Sequence, residues 1–130
     1  MKIIIPFLFR LTMHTSKIGG TGVDIGTGII VDSSGNFYLK GYFTGAASFS
    51  INGTPVNSYG SADAFIAKYT SNGVPIWIKN GGGVQFDFSN GLCLNPASNR
   101  LSSICEYAPS ARFGNMFVTT GNYLVWVYGE

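Results

Sequence analysis

Residues 28–41 read GIIVDSSGNFYLKG, and this stretch decides the fold. The β-branched run Gly28–Asp32 leads into a turn that contains Gly35 and Asn36, two residue types that adopt positive φ with little strain. An aromatic-rich run, Phe37–Phe43, follows the turn. Strand, tight turn and strand is the pattern of a β-hairpin. We therefore expect an antiparallel sheet whose first two strands meet at this turn.

Two further strands follow the hairpin. The apolar run Ala64–Tyr69 predicts a third strand, and a turn at Asn72 and Gly73 leads into a fourth, Val74–Lys79. Pro75 places the fourth strand at an edge, because proline cannot donate a hydrogen bond to a ladder. No stretch shows the 3.6-residue apolar period of a helix. The pattern thus predicts a four-stranded antiparallel sheet and an all-β protein.

The same order of residues begins again later in the chain. Asp87 follows Asp24 by 63 positions, and Gly91 follows Gly28 by the same interval. Further matches at this interval join Gly19 and Gly20 to Gly82 and Gly83, Ile29 to Leu92, Val31 to Leu94, Asp32 to Asn95 and Asn36 to Asn99. With one inserted residue Phe49 matches Phe113, and after a deletion Phe65 matches Phe117 and Trp77 matches Trp126. Repeats of four short strands, each ending on an aromatic residue, are typical of propeller blades.

The repeat divides the chain into three parts. Residues 1–18 hold an N-terminal strand and the remnant of a preceding blade's outer strand, residues 19–81 form a first blade, and residues 82–130 form a second, degenerate blade. We predict an all-β fold of about two four-stranded antiparallel propeller-like blades plus the N-terminal strand. The repeat is longer than the roughly 40–50 residues of well-known propeller repeats, which we attribute to an extended loop over Ser50–Ala62.

Three segments of the first repeat resemble the bacterial beta-propeller repeat (SBBP) family. They are residues 28–41, Asp63–Tyr69 and Gly73–Trp77. Repeats of that family carry a glycine-glycine start, a G-I-x-V-D-x-x-G-N-x-Y-x-x-G hairpin, a D-x-F-[IV]-x-K strand and a G-x-x-x-W close. The resemblance implies a secreted or cell-surface repeat module, and it implies no catalytic residues.

The second repeat departs from this family pattern. Asn95 replaces the aspartate of the hairpin, Pro96 enters its turn, and Ser98 replaces the turn glycine. The lysine of the third strand is also absent. The resemblance therefore covers residues 19–83 well and the second repeat only in outline.

Two blades are too few to close a propeller of four to eight blades. Three accounts stay open: a piece of a longer propeller, a ring in which three copies supply six blades, or an open domain of two sheets. The run Ile3–Phe9 predicts a strand that pairs either with a neighbour's sheet or with its own. Arg10 interrupts that run, so it makes no convincing signal peptide.

Charge and composition exclude several functional classes. Eight basic and six acidic residues give a net charge of +2, and the basic residues are scattered as isolated solubilising charges, which disfavours nucleic acid and anionic membranes. No apolar run approaches the roughly 20 residues of a membrane helix. The single His14 and two cysteines are too few for a catalytic triad or a structural zinc site. We expect no metal and no cofactor.

The aspartates and asparagines of the repeat are predicted to be structural. Asp24 and Asp87 recur in equivalent positions, so we expect each to accept backbone N–H bonds between blades, with a paired-carboxylate hydrolase as an alternative. Asp32 with Asn36 caps a tight turn and lacks the ligand spacing of a calcium loop. The glycines of Gly20–Gly28 open a strand rather than a helix, which disfavours a phosphate site.

Trp77 and Trp126 are the candidate ligand-binding residues. As the aromatic closes of two blades they are predicted to fill the core between sheets, and the alternative is that they stack on sugars.

The two cysteines flank the second predicted hairpin. With a turn at Pro96–Asn99, Cys93 would lie opposite Ser103, which makes Cys93 and Cys105 diagonal neighbours on one face. Diagonal pairs are too far apart for an unstrained disulfide, so two buried thiols are expected.

These observations predict a non-catalytic repeat module for protein interaction or scaffolding, either alone or as a homo-oligomer. Its expected contact surfaces are strand edges and Ser50–Ala62. The alternative is a carbohydrate-binding, lectin-like module that assembles as a ring. The family resemblance implies an extracellular or cell-surface location.

Overall fold

The structure, a computed structural model, describes residues 19–48, 55–85, 87–107, 110–113, 116–118 and 123–129. Within these ranges the chain forms ten strands and no helix, as the sequence predicts for an all-β protein. The strands are β1 (Gly19–Gly20), β2 (Asp24–Val31), β3 (Phe37–Ser48), β4 (Pro55–Tyr69), β5 (Pro75–Gly83), β6 (Phe88–Asn95), β7 (Arg100–Glu106), β8 (Ala111–Phe113), β9 (Met116–Val118) and β10 (Tyr123–Gly129). The predicted strand Ile3–Phe9 and the blade remnant before residue 19 lie outside the described residues.

The larger sheet contains the predicted hairpin. Its strand order is β1-β3-β4-β5-β8-β9, and β2 pairs with β3 beside β1, every pairing being antiparallel. Strands β2 to β5 form a meander in chain order. Residues Ala62–Tyr69 of β4 are buried throughout. This explains the continuous apolar run Ala64–Ala67, because a central strand that is covered on both faces needs no alternation of apolar and polar residues. The prediction that the fourth strand is an edge strand is wrong for its second half, because Gly81–Gly83 of β5 pair with β8. Pro75 lies at the start of β5, opposite Tyr69 of β4 and away from the residues that pair with β8.

The smaller sheet, in the order β10-β7-β6, repeats the first hairpin pair by pair. Gly28 pairs with Lys40 in the first hairpin, and Gly91 pairs with Ile104 in the second. Both hairpins have an irregular register at the same place, between Gly26 and Gly28 and between Ser89 and Gly91. The first strands match at an interval of 63 residues and the second strands at 64, so the inserted residue lies in the turn.

This register changes the predicted match in the turn. Asn99, with φ of 52°, takes the position of Gly35, with φ of 81°, rather than that of Asn36. Asparagine is one of the few non-glycine residues that adopts this region with little strain. The second turn therefore replaces the glycine and keeps the backbone conformation.

Strands β9 and β10, which follow the second hairpin, contradict two of the predicted matches between the repeats. Trp126 on β10 pairs with Ser103 of β7, in the place that Ala67 of β4 takes against Leu39. Trp126 therefore lies on the third strand of its sheet, whereas Trp77 lies on the fourth strand of the other. Residue Phe117 pairs with β8 rather than with β7, so it does not correspond to Phe65 either. Matching aromatic residues across a deletion misled the alignment, and the second sheet has three described strands instead of four.

The predicted loop Ser50–Ala62 is mostly strand. Strand β4 begins at Pro55, which pairs with Ser48 and extends the β3–β4 hairpin beyond the body of the sheet. The register is irregular near Gly45, which has φ of 68°. Proline, asparagine, serine and glycine in this segment resemble a loop in sequence, but pairing with the twelve-residue strand β3 holds it extended. Residues 49–54 lie outside the described ranges.

The two sheets pack face to face around one apolar cluster. Tyr38 and Ile66 of the larger sheet and Leu101 of the smaller sheet are buried together, and four partly buried side chains pack on them: Ile30, Trp77, Leu92 and Leu94. We call these seven residues the inter-sheet core. A second buried cluster at the junction joins Ala64 to Cys105, Tyr107, Ala111 and Phe113. The opposite face of the larger sheet buries Phe43, Ala47, Phe65, Ala67 and Tyr69.

Substitution of Asn99 tests the register of the second turn. We expect Asn99→Val to be less stable than Asn99→Gly by about 1 kcal/mol, because a β-branched side chain is strained at positive φ. Urea unfolding followed by tryptophan fluorescence measures the difference. The same two substitutions at the neighbouring exposed Ser98 are the matched control and should differ by less than about 0.5 kcal/mol. Equal penalties at the two positions would contradict the register.

Candidate functional site at the junction of the two repeats

Asp32 is engaged by its own turn. Its Oδ1 accepts hydrogen bonds of 2.9 Å from the backbone N–H groups of Ser34 and Asn36, and its Oδ2 accepts one of 3.2 Å from Asn36 Nδ2. In the second repeat Asn95 Oδ1 accepts the N–H of Ala97 at 3.0 Å. An amide oxygen thus replaces the carboxylate in the same capping arrangement. Asn36 and Asp32 hold the first hairpin turn together.

Three other aspartates each accept a local hydrogen bond of the same kind. Asp24 Oδ2 accepts the N–H of Gly20 at 2.9 Å, and Asp87 Oδ2 accepts the N–H of Gly83 at 2.7 Å. Each donor lies four residues before its aspartate. Gly20 and Asp24 both belong to the first repeat, whereas Gly83 ends β5 of the larger sheet and Asp87 directly precedes β6 of the smaller one. Asp63 makes the same bond from its Oδ2, at 3.0 Å from the N–H of Tyr59. Sequence reasoning did not select Asp63 as a site residue, because no glycine pair precedes it.

Asp63 and Asp87 meet at the junction of the repeats. Both side chains are fully buried, and they approach each other over the bare Cα of Gly82. A Cβ at Gly82 would collide with the Asp63 carboxyl group and would lie 2.9 Å from Asp87 Oδ2. Gly82 is therefore required by this close approach rather than by its backbone angle. Asn80 Nδ2 donates to Asp63 Oδ2 at 3.3 Å.

The junction strongly perturbs the carboxyl group of Asp63. Its pKa is raised from the ordinary 3.8 to about 6, chiefly by burial and additionally by the nearby charge of Asp87, while the hydrogen bonds from Tyr59 and Asn80 oppose the shift. Within the described part of the chain, Asp63 Oδ1 has no hydrogen-bond partner. A proton on Asp63 relieves both the burial of its charge and the repulsion from Asp87.

The chemistry open to this pair is limited by its burial. Two adjacent carboxyl groups can share a proton, but these two are closed from solvent, so a substrate has no path to them in this structure. Among the described residues no three histidine, cysteine, aspartate or glutamate side chains come together as a metal-binding group. The arrangement couples the end of the first repeat to the start of the second.

Two lysines lie in the space between the sheets, where the sequence had suggested isolated surface charges. Lys40 and Lys68 are buried, because their register on β3 and β4 places them on the same face as Tyr38 and Ile66. Lys68 Nζ lies 5.2 Å from the centre of the Tyr38 ring, a cation–π distance. Burial lowers the pKa of Lys40, and the neighbouring Cys105 partly opposes this shift.

Trp77, one of the two candidate ligand-binding residues, lies at the contact between the sheets. Trp77 is partly buried in the inter-sheet core, with its ring centre 6.1 Å from that of Tyr38 and tilted by 57°. The strand of Trp126 pairs with β7, but its side chain lies outside the described residues.

The cysteines lie on opposite faces of the second hairpin, which contradicts the predicted arrangement. The turn spans Pro96–Asn99 as predicted, but Cys93 pairs with Ser102 and not with Ser103. A difference of one residue in register moves a side chain to the other face of a strand. Cys93 is consequently exposed, Cys105 is buried, and no disulfide joins them.

Each repeat has an exposed apolar feature: aliphatic side chains on β2 in the first repeat, and a shallow groove on the smaller sheet in the second. Ile29 and Val31 on β2 are 60% and 62% exposed. On the outer face of the smaller sheet, Cys93, Ser102 and Ile104 line a groove. No described helix is long and apolar enough to span a membrane.

Comparisons with known proteins leave the chain without an assigned family. A scan against protein-family models matches none of them, and searches of curated proteins and of solved structures return no match.

The raised pKa of Asp63 predicts that the folded chain becomes less stable as the pH rises. Its folded pKa of about 6 lies above the ordinary value of 3.8, so the folded chain holds a proton that the unfolded chain has released. The free energy of unfolding should therefore decrease by about 2 kcal/mol from this group as the pH rises from about 4 to about 7. Asp63→Asn should remove that part of the decrease in urea unfolding measured across the range. Asp24→Asn neutralises a carboxylate that accepts a similar bond but has no facing carboxylate, so it should retain that decrease; equal profiles for the two variants would refute the assignment.

The two thiols should differ widely in reactivity. Cys93 should react with a thiol reagent in the folded chain, and Cys105 should react on the order of a hundredfold more slowly or less, because it is exposed only by local or global unfolding. Cys93→Ser should remove the fast phase and Cys105→Ser the slow one. Two fast phases in the native protein would contradict the register of β6 and β7.

Proposed function

We propose that the chain is a non-catalytic repeat module of the β-propeller type that acts by binding or scaffolding other proteins. The observation that carries the proposal is the shared register of the two hairpins, including the irregularity at Gly26 and Gly28 and its counterpart at Ser89 and Gly91. A repeat that keeps its pairing while its side chains differ preserves the backbone arrangement on which the stacking of repeats and the shape of their surface depend.

The packing of the sheets supports the propeller type. The first strands of the two repeats, β2 and β6, lie against each other, as the innermost strands of neighbouring blades do. The four-strand meander of the first repeat and its face-to-face contact with the second sheet agree with this arrangement. The resemblance of residues 28–41 to bacterial propeller repeats adds the proposal of a secreted or cell-surface protein.

The polar residues support a binding role over catalysis. Asp24, Asp32 and Asp87 each hold a backbone N–H group of their own connection. The exposed features are strand edges: within the described ranges β2 pairs with β3 alone and β6 with β7 alone. Unpaired strand edges receive extended peptides by adding a strand to the sheet. A carbohydrate site remains the alternative, although Trp77 already packs against Tyr38.

A side-by-side ligand screen tests the proposed function. The folded chain is offered an array of extended peptides, a glycan array, and chromogenic glycoside, ester and phosphate substrates. We expect peptide binding without turnover, and we expect Asp24→Asn and Asp87→Asn to lower the free energy of unfolding by about 1 kcal/mol each without changing peptide affinity.

Two results would replace the proposal. Turnover that is lost in a folded Asp24→Asn or Asp87→Asn variant would favour a hydrolase. Glycan binding that is lost in a folded Trp77→Phe variant, with Tyr42→Phe as the aromatic control, would favour the carbohydrate-binding alternative.

A further inference from the structure

A cleft lies between the turns of the two hairpins, beside the inter-sheet core. Ile30 and Leu94, which are partly buried and pack on that core, line its inner part, and the exposed Ser33, Pro96 and Asn99 line its rim. Its volume is about 310 Å³, at the lower limit of the roughly 300–1,000 Å³ of small-molecule sites. The space therefore suits a single side chain or a single sugar ring.

Asp32 is the source of charge in this cleft. Among the described residues that line it, Asp32 is the charged one, and the others are aliphatic or neutral polar. Lys40 and Lys68 are buried between the sheets and are not among these lining residues. Arg100 of the second hairpin lines a different groove together with the exposed Cys93. The cleft thus combines aliphatic walls with one carboxylate, which is complementary to a cation on a methylene stem.

The turn that holds the Asp32 carboxylate leaves it able to accept one more donor. Oδ1 accepts the N–H groups of Ser34 and Asn36, each at 2.9 Å, and Oδ2 accepts Asn36 Nδ2 at 3.2 Å. An ionised carboxylate has about four acceptor positions, so these contacts leave one position open on Oδ2. A carboxylate that is already fixed in its turn needs little reordering when it binds a cation.

The second repeat shows that the cap of this turn does not require a charge. Asn95 Oδ1 accepts the N–H groups of Ala97 at 3.0 Å and of Ser98 at 3.3 Å, so an amide oxygen is sufficient to hold the turn. Asp32 lines the cleft, whereas Asn95 is not among its lining residues. The charge is therefore present at the capping residue that faces the cleft's ligand space and absent at the one outside it.

We propose that this cleft binds the basic side chain of a peptide ligand, with its methylene stem against Ile30 and Leu94 and its cationic group at Asp32. The inference rests on the proposed peptide-binding function and deepens it by naming the side chain that is recognised. A sugar is less well suited, because none of the described residues that line the cleft is aromatic and a sugar would find no ring to stack on. Both hairpin turns supply walls, so the site depends on the contact between the repeats.

A series of peptides with one variable residue tests this specificity in the full chain. Extended peptides of alternating threonine and valine, blocked at both ends, carry arginine, lysine, norleucine or glutamate at the central position, and binding is measured by titration calorimetry. We expect the arginine and lysine peptides to bind about tenfold more tightly than the norleucine peptide, as a charge-assisted hydrogen bond predicts. Equal affinities for the lysine and norleucine peptides would overturn the inference.

The variant Asp32→Asn removes the charge and keeps an amide oxygen for the cap, as Asn95 does in the second repeat. We expect it to bind the lysine and norleucine peptides equally, at the affinity that the unmodified chain has for norleucine. Asp24→Asn is the matched control, because it neutralises a carboxylate that is not among those lining the cleft, and it should keep the preference for lysine. A preference that survives in Asp32→Asn would contradict the proposed role of this carboxylate.

Two serine variants test the site with Asp32 left in place. Ser33 and Ser34 are both exposed, and Ser33 lines the cleft whereas Ser34 is not among its lining residues. We expect Ser33→Trp to weaken binding of the lysine peptide about tenfold, because an indole ring fills the cleft, and Ser34→Trp to leave it unchanged. Equal affinities of the two variants would place the basic side chain elsewhere and reject the site.

The outcomes separate this inference from the proposed function. Peptides that bind without preference for a basic residue would overturn the inference and leave the peptide-binding role intact. Butylammonium carries the stem and cation of a lysine side chain; its binding, abolished by Asp32→Asn in a chain that binds no peptide, would support the cation site and reject the peptide-binding role. Glycan binding that is lost in Ser33→Trp and kept in Ser34→Trp would overturn the inference in favour of a carbohydrate.

Discussion

The position of the smaller sheet relative to the larger one depends on the packing of Leu101 against Tyr38 and Ile66. An apolar sheet face has to be covered by another element, and the smaller sheet covers its own by packing against the larger one. Once the faces meet, β2 and β6 are brought side by side and the lysines of β3 and β4 lie between the sheets.

Burying two carboxyl groups at the junction of the repeats is unfavourable in free energy, and the apolar packing of the sheets offsets this. Asp63 and Asp87 are buried together over Gly82, and the raised pKa of Asp63 expresses the free energy lost by enclosing two carboxyl groups. Each carboxylate also accepts a backbone N–H from four residues earlier in the chain, Tyr59 for Asp63 and Gly83 for Asp87. The aspartates thus stabilise local backbone geometry, while their proximity results from the way β4 meets the connection between β5 and β6. The same division of roles makes a hydrolytic function of Asp87 unnecessary to explain its recurrence.

Local sequence signals predicted the hairpins and failed after the deletion and in the exact register of the second hairpin. The turns at Gly35 and Asn99 were found because positive φ restricts the residue type at a single position. The match of Trp77 to Trp126 was wrong, since residue identity across a deletion carries no information about which strand a residue joins. The predicted face of Cys93 was wrong, because its predicted partner on β7 differed from the observed one by one residue. The burial of Lys40 and Lys68 had no sequence signal, because their neighbours across the sheets are distant in the chain.

The sequence by itself determined the strand–turn–strand units, the repeat interval and the all-β class. These depend on steric preferences of single residues and on short-range periodicity, which act wherever the segment lies. Only the tertiary structure decided that Trp126 occupies a third strand, that Asp63 faces Asp87, and that Ile29 and Val31 remain exposed. Each of these outcomes depends on strand register and on the stacking of distant faces, where a slip of one residue exchanges the buried and exposed sides of a strand.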